Sequence, residues 1–193
     1  MATPDLDNIR PIPEWNPFLR DLVRSLPENL TILEIGTYLG GTTVRMAEER
    51  PDARIITVDC CDTEQWLPPY DEYSNNTLIA QYGITPSEQT MRINLSRFDN
   101  IEFIKGFSPD DFIDFNTPVD LYFEDGDHGE PLESMENFLH CVKPGGYFVA
   151  HDYGMKWVKM AVDEIYERGG WEKTIWTPHF GNPPSQTAML KRV

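Results

Sequence analysis

The sequence predicts one α/β domain, a doubly wound and mainly parallel seven-stranded sheet with an antiparallel hairpin at its C-terminal edge. Short aliphatic runs alternate with stretches of helical periodicity, the pattern of parallel strands joined by crossover helices. The last two apolar runs have no helical stretch between them, which suits an antiparallel pair. At 193 residues and 40% hydrophobic content, the chain can form one good core and is short for two.

The elements follow in order. Residues 1–28 form an N-terminal helical segment carrying Trp15 and Phe18. Residues 31–35 are a buried strand closed by Gly36, and 42–50 a helix that stops before Pro51. The second strand is 54–58. Residues 61–85 then depart from a short connection, being long, polar and aromatic with Trp66, Tyr70, Tyr73 and Tyr82. A loop of that length in a compact domain is either a lid or substrate wall, or a poorly ordered surface segment. A helix over 87–97 leads to a third strand at 101–104, and 119–123 is the fourth. Residues 132–142 are amphipathic, and Lys143-Pro144-Gly145-Gly146 reads as a helix stop and turn before a fifth strand at 146–150. A helix over 157–167 ends at Gly169-Gly170, and strands at 174–176 and 187–190 close the sheet.

Charge narrows the partners. Lys and Arg total 16 against 32 Asp and Glu, a formal net charge of −16. Such a surface repels phosphate backbones and anionic headgroups. The expected partner is a small-molecule substrate, with neither nucleic acid nor membrane, and with a homodimer kept open. No run of about 18 apolar residues occurs. Residues 1–7 lack the basic start and apolar stretch of a secretory signal. Three cysteines, two of them adjacent, make a poor disulfide framework. These features together predict a cytoplasmic protein with reduced thiols.

Ligands of such sheets sit beyond the carboxyl ends of the strands, so the residues there carry the chemistry. After the first strand comes Glu34-Ile35-Gly36-Thr37-Tyr38-Leu39-Gly40-Gly41-Thr42-Thr43. Glycine lets the backbone turn tightly against a ligand, and the following helix offers free N–H groups to an anion. The spacing is not the G-x-G-x-x-G of dinucleotide sites. Glu34 instead suits a positively charged ligand group, such as an amino-acid ammonium. Asp59 ends the second strand, where an acidic side chain accepts hydrogen bonds from ribose hydroxyls. The alternative is a solvated turn aspartate, and the pairing with the glycine loop favours the functional role.

The run Leu33-Glu34-Ile35-Gly36-Thr37-Tyr38-Leu39-Gly40-Gly41-Thr42-Thr43-Val44-Arg45-Met46-Ala47 resembles the first motif of class I S-adenosylmethionine-dependent methyltransferases. Among these it is most similar to the catechol O-methyltransferase-like small-molecule branch. The likeness continues in order through Ile56-Thr57-Val58-Asp59, Ile104-Lys105-Gly106-Phe107-Ser108, Tyr122-Phe123-Glu124-Asp125-Gly126-Asp127-His128 and Lys143-Pro144-Gly145-Gly146-Tyr147-Phe148-Val149-Ala150-His151-Asp152-Tyr153. The resemblance implies a Rossmann-like sheet of seven strands with a reversed last strand, in agreement with the strand count above. It also implies a cofactor site. Glu34 falls on the ammonium side of the methionine, Gly36, Thr37 and Tyr38 line the loop, and Thr42 meets the carboxylate. Asp59 binds the ribose, Cys60, Phe107 and Ser108 border the adenine, and Asp125 lies near the sulfonium.

In the resembled enzymes, the positions of Asp125 and of the pair His151-Asp152 bind a magnesium ion that orients two substrate oxygens. Neighbouring strand ends lie about 4.8 Å apart, so these side chains can converge. The pair is Asp-Asn in those enzymes. Mg²⁺ prefers all-oxygen ligands, whereas imidazole suits Mn, Fe, Ni or Zn. Asp125, His151 and Asp152 are therefore either ligands of a divalent metal, Mg²⁺ or Mn²⁺, or a hydrogen-bonded polar wall. His128 stands where those enzymes place a lysine base, and an imidazole titrating near ~6.5 can take a hydroxyl proton at neutral pH.

Two motifs are set aside. Asn182-Pro183-Pro184-Ser185 sits too late in the chain for an amino-methyltransferase motif and reads as a turn. Cys60-Cys61 has no second pair with which to complete a tetrahedral metal site. The reading that joins the rest is an S-adenosylmethionine-dependent O-methyltransferase acting on a small hydroxylated acceptor, with His128 and Asp125 catalytic. Aromatic residues of 61–85, with Trp157, His179 and Phe180, would shape the substrate pocket. Its rivals are a protein that binds the cofactor without transfer, and a metal-dependent enzyme of the same fold with other chemistry.

Overall fold

The computed structural model describes residues 16–61, 87–126, 130–178 and 186–193. Seven strands form one sheet, namely β1 (Thr31–Ile35), β2 (Arg54–Asp59), β3 (Ile101–Lys105), β4 (Val119–Glu124), β5 (Val142–Ala150), β6 (Trp171–Trp176) and β7 (Thr187–Arg192). The helices are α1 (Pro17–Ser25), α2 (Gly41–Glu49), α3 (Glu88–Leu95), α4 (Pro131–Leu139) and α5 (Lys156–Glu167). Strand order is β3-β2-β1-β4-β5-β7-β6. Strands β1 to β5 are parallel, and β7 runs antiparallel to both β5 and β6. The predicted mixed sheet forms, with the last strand of the chain inserted between β5 and the edge. The predicted lid at 61–85 lies outside the described residues apart from Cys61, as does Trp15.

Side chains alternate between the two faces of a strand, and here both faces are covered. Ile32, Ile55, Leu121 and Phe123 pack with Leu19 and Val23 of α1 and Met46 of α2. Leu33, Ile56, Tyr122 and Phe148 pack with Phe138 of α4 and Val162 of α5. That double burial is why the central strands read as continuous apolar runs. At the start of α1, the Asn16 side chain accepts from the N–H groups of Phe18 and Leu19 at 3.1 and 3.4 Å, with Pro17 in the first turn. Among the described residues, no helix is long and apolar enough to cross a membrane.

The sixth strand begins at Trp171, three residues before the predicted start, and the helix predicted over 87–97 spans Glu88–Leu95, but the largest difference lies before β5. The helix predicted over 132–142 ends at Leu139, and the predicted turn at 143–146 lies inside β5. Val119 pairs with Val142 but Leu121 pairs with Tyr147. Residues 143–146 therefore bulge from the ladder opposite Asp120, with Gly145 at φ +79°. Lys143 Nζ donates to Asp120 Oδ2 at 2.8 Å, and the same oxygen accepts the Thr31 N–H at 2.8 Å. Cys141 and Val142 are apolar because the core buries them, and burial in a strand start mimics a last helical turn. The order of strands reverses between β1 and β4, so the ligand crevice of this sheet lies at their carboxyl ends.

Candidate active site

The loop after β1 is built around a crossing. Gly36 adopts φ +92°, and a Cβ there would lie 2.2 Å from the Asp125 carbonyl oxygen. Only glycine lets this loop pass so close to the end of β4. Two residues on, Tyr38 takes φ 49°, and its N–H donates to Asp59 Oδ2 at 2.7 Å. Cys61, at φ 54°, donates its N–H to Asp59 Oδ1 at 2.7 Å. Asp59, which the Thr37 backbone also approaches as a donor, thus braces the loops after β1 and β2 at once. Burial raises its pKa against the pull of these backbone donors.

Glu34 lies beneath that loop, 1% exposed. It sits opposite Thr57 in the β1–β2 register. Its Oε2 accepts from Thr57 Oγ1 at 2.7 Å and from Thr43 Oγ1, and Thr37 Oγ1 lies 2.6 Å from Thr57 Oγ1. Burial pushes the Glu34 carboxyl up to about 8, although the threonine hydroxyls oppose the shift. Gly40 is the N-cap of α2, so no side chain caps the first amides, and half-buried Thr42 lies in that first turn.

Across the crossing, the Asp125 N–H donates to Ile35 O at 2.9 Å and the His151 N–H to Glu124 O at 3.0 Å. This backbone zipper brings Asp125, His151 and Asp152 together, with candidate ligand atoms all within 4.8 Å of one another. His151 Nδ1 lies 3.0 Å from Asp125 Oδ1 and 3.4 Å from Asp152 Oδ2. Neither approach has hydrogen-bond direction, which leaves this buried nitrogen without a hydrogen-bond partner among the described residues. Burial disfavours the imidazolium, but the Asp125 and Asp152 carboxylates outweigh it and raise the pKa to about 11. Asp152 holds φ 50°, an uncommon conformation for a residue with a side chain. Once the imidazolium proton is displaced, one nitrogen beside two carboxylates makes a donor set for a divalent cation that accepts mixed ligands, Mn²⁺ better than Mg²⁺.

The adenine side is looser. Phe107 is 49% exposed, and its N–H donates to Asp111 Oδ2 at 2.8 Å. Ser108 Oγ lies 2.7 Å from Ser134 Oγ of α4, and Cys60 is half-buried just past the end of β2. His128, His179 and Phe180 lie outside the described residues. Trp157 stands exposed on α5. One residue without an expected role emerges here. Glu124, 3% exposed, accepts the Gly126 N–H on Oε1 at 3.2 Å, with Ser134 Oγ at 3.3 Å and the Tyr122 hydroxyl on Oε2. Burial raises its carboxyl to about 8 against those donors. Its signal in the sequence is a carboxylate that closes the apolar run Leu121-Tyr122-Phe123.

A crevice at the strand-order reversal, with a glycine loop and an acid at neighbouring strand ends, is where doubly wound α/β proteins bind their ligands. The family is narrower. The chain belongs to the methyltransferase-domain family, whose model matches residues 33–153. No curated protein matches it in sequence. The O-methyltransferase from Bacillus cereus, solved with S-adenosylhomocysteine, superposes with a TM-score of 0.64 at 15% identity, over 97% of this chain and 86% of that one. TomG from Streptomyces achromogenes, an O-methyltransferase involved in tomaymycin synthesis, gives 0.60 at 20% identity over 91% and 78%. An rRNA methylase from Streptococcus thermophilus gives 0.61 at 18% identity over 94% and 98%. At these identities the likeness shows the fold, the Rossmann-like fold of S-adenosylmethionine-dependent methyltransferases.

Proposed function

We propose that this chain is an O-methyltransferase of the catechol O-methyltransferase-like branch that transfers a methyl group from S-adenosylmethionine to a hydroxyl of a small acceptor. The observation that carries this reading is the convergence of Asp125, His151 and Asp152 beside the Gly36 crossing. A donor set of that kind, next to a cofactor loop, suits the capture of an oxygen-bearing acceptor. The net charge of −16 favours a small acceptor over a nucleic acid.

In this reading Gly36, Thr37 and Tyr38 line the amino-acid end of the cofactor. Thr42 meets its carboxylate, and Glu34 supports the ammonium side from beneath through the loop it braces. Asp59 takes the ribose hydroxyls, and Cys60, Phe107 and Ser108 border the adenine. S-adenosylmethionine, when bound, supplies the methyl group as an electrophile on its sulfonium. Asp125, His151 and Asp152 would hold a divalent cation, which when bound supplies positive charge at the acceptor oxygen. Asp125 positions the cofactor or the metal beside the methyl group, and His128 takes the hydroxyl proton. Orientation lowers most of the barrier, and proton removal adds about 10²–10⁴-fold. Residues 1–193 act as a single catalytic domain, with 61–85 as a substrate lid, in a cytoplasmic monomer or homodimer.

Calorimetric titration of chelator-treated protein with S-adenosylmethionine tests this, alone and after Mn²⁺ or Mg²⁺, with NAD as a control. The expected result is cofactor binding, with a metal-dependent heat that disappears in Asp152→Ala. Methyl transfer to a catechol and phenol panel should accompany it. Absence of binding under every condition overturns the reading, and binding without turnover on any hydroxyl leaves a cofactor-binding protein.

A further inference from the structure

The two walls of the crevice follow strands that are not direct neighbours in the sheet. The turn at Asp125 and Gly126 follows β4, the loop at Phe107 and Ser108 follows β3, and β2 and β1 lie between those strands. Hydrogen bonds of the sheet link the two walls only step by step, through β2 and β1, so a direct link between them has to come from side chains. One continuous polar chain spans the gap on the α4 face. Ser108 Oγ lies 2.7 Å from Ser134 Oγ, and Ser134 Oγ donates to Glu124 Oε2 at 3.3 Å. The other oxygen of the same carboxyl, Oε1, accepts the Gly126 N–H at 3.2 Å. The turn wraps tightly on that carboxyl, since a Cβ at Gly126 would lie 2.9 Å from Oε1.

We infer that Glu124 is a positioning residue of the cofactor pocket, one buried carboxyl group that locks the turn at Asp125 and Gly126 to the loop at Ser108 through Ser134. Core packing has no use for a carboxyl at this point. Glu124 sits opposite Ala150 and Ile35 in the sheet, among apolar neighbours where a leucine would be buried without a desolvation penalty. A fully connected buried polar network instead selects one relative placement of the segments that it joins. The pocket walls are those segments, and they have to stand at the separation set by the length of the cofactor. The Tyr122 hydroxyl, also on Oε2, fixes the rotamer of Glu124 from within its own strand.

This inference rests on the cofactor reading above. The test is titration of Glu124→Gln, Glu124→Leu and Ser134→Ala with S-adenosylhomocysteine and with adenosine, with thermal melts to establish folding. Glu124→Gln, which keeps the shape and the hydrogen-bonding capacity, should stay within about twofold of the wild type. Ser134→Ala breaks only the branch to Ser108, so it should weaken both ligands about 3- to 10-fold, the net worth of one buried hydrogen bond. Glu124→Leu should weaken S-adenosylhomocysteine by about tenfold or more by cutting both branches. If the wild type binds and folded Glu124→Leu or Ser134→Ala binds equally well, the inference falls. It also falls if Glu124→Gln is as weak as Glu124→Leu. Should Glu124→Leu fail to fold, Ser134→Ala and Glu124→Gln still decide. A wild type that binds neither ligand overturns the cofactor reading itself, a different result from any of these.

Discussion

Gly36 and Gly145 share a left-handed backbone, φ +92° and +79°, yet they serve different ends. A Cβ at Gly36 would strike the Asp125 carbonyl, whereas one at Gly145 would meet nothing within 4 Å. Gly36→Ala therefore adds a steric clash to conformational strain and should cost about 3 kcal/mol or more. Gly145→Ala bears the strain alone, about 1 kcal/mol. Urea unfolding of both variants checks the contrast, and equal losses would mean that the crossing can relax. Asp59 shows how a residue's role widens in three dimensions. The end of a second strand marks it as an acceptor, but the loops that it braces are visible only once Tyr38 and Cys61 are seen to donate to it. Asp59→Ala should weaken S-adenosylhomocysteine binding at least about tenfold, because two loop tethers are lost along with the acceptor. Calorimetry on the folded variant measures it.

At the scale of elements, Arg50 joins the ends of two helices. It is the C-cap of α2, and its guanidinium reaches back to α1, where Nη1 donates to Val23 O and Leu26 O, both at 2.9 Å. Its Nε and Nη2 hold Asp52 at 2.9 and 2.7 Å. The last carbonyls of a helix have no partner of their own, so this buried arginine completes α1. Arg50→Ala should destabilise the protein by about 2–3 kcal/mol in urea unfolding, and Arg50→Lys should recover only part, since an ammonium lacks the planar fork. A near-neutral Arg50→Ala would show that water replaces the guanidinium. Element boundaries follow the same logic in reverse. The apolar spacing of 132–142 is helical, but its last residues belong to a strand, and nothing local distinguishes the two forms of burial.

For the whole molecule, the buried Glu34 ties stability to pH. Its carboxyl moves from an ordinary 4.5 to about 8 on folding. Between those values the folded chain holds a proton that the unfolded chain has released, so stability falls as pH rises. The full contribution is present below 4.5 and is lost as pH climbs through about 8, at a slope of at most about 1.4 kcal/mol per pH unit. Glu124 titrates over the same range, so Glu34→Gln, which keeps the threonine network without the titration, should reduce the slope of this part of the curve by about half and leave the Glu124 share. Urea midpoints at intervals from pH 5 to pH 8 test it, and an unchanged slope in the variant would assign the dependence to other groups. Repulsion within a chain of net charge −16 acts on both proteins alike.

Strand and helix order, the two-faced burial of β1 and β4 and the glycine loop were legible in the sequence, because side-chain period and turn chemistry are properties of a few neighbouring residues. So was the trio Asp125, His151 and Asp152, since its members follow adjacent strands. Only the tertiary structure decided that residues 143–146 bulge inside β5, that Glu34 turns inward to Thr43 and Thr57, and that His151 Nδ1 faces two carboxylates without a hydrogen bond. It alone revealed Glu124 as the link between Ser134 and Gly126. Each of these depends on which distant segments meet and how closely. That is settled by the packing of both helical layers against one sheet, and no local stretch of sequence encodes it.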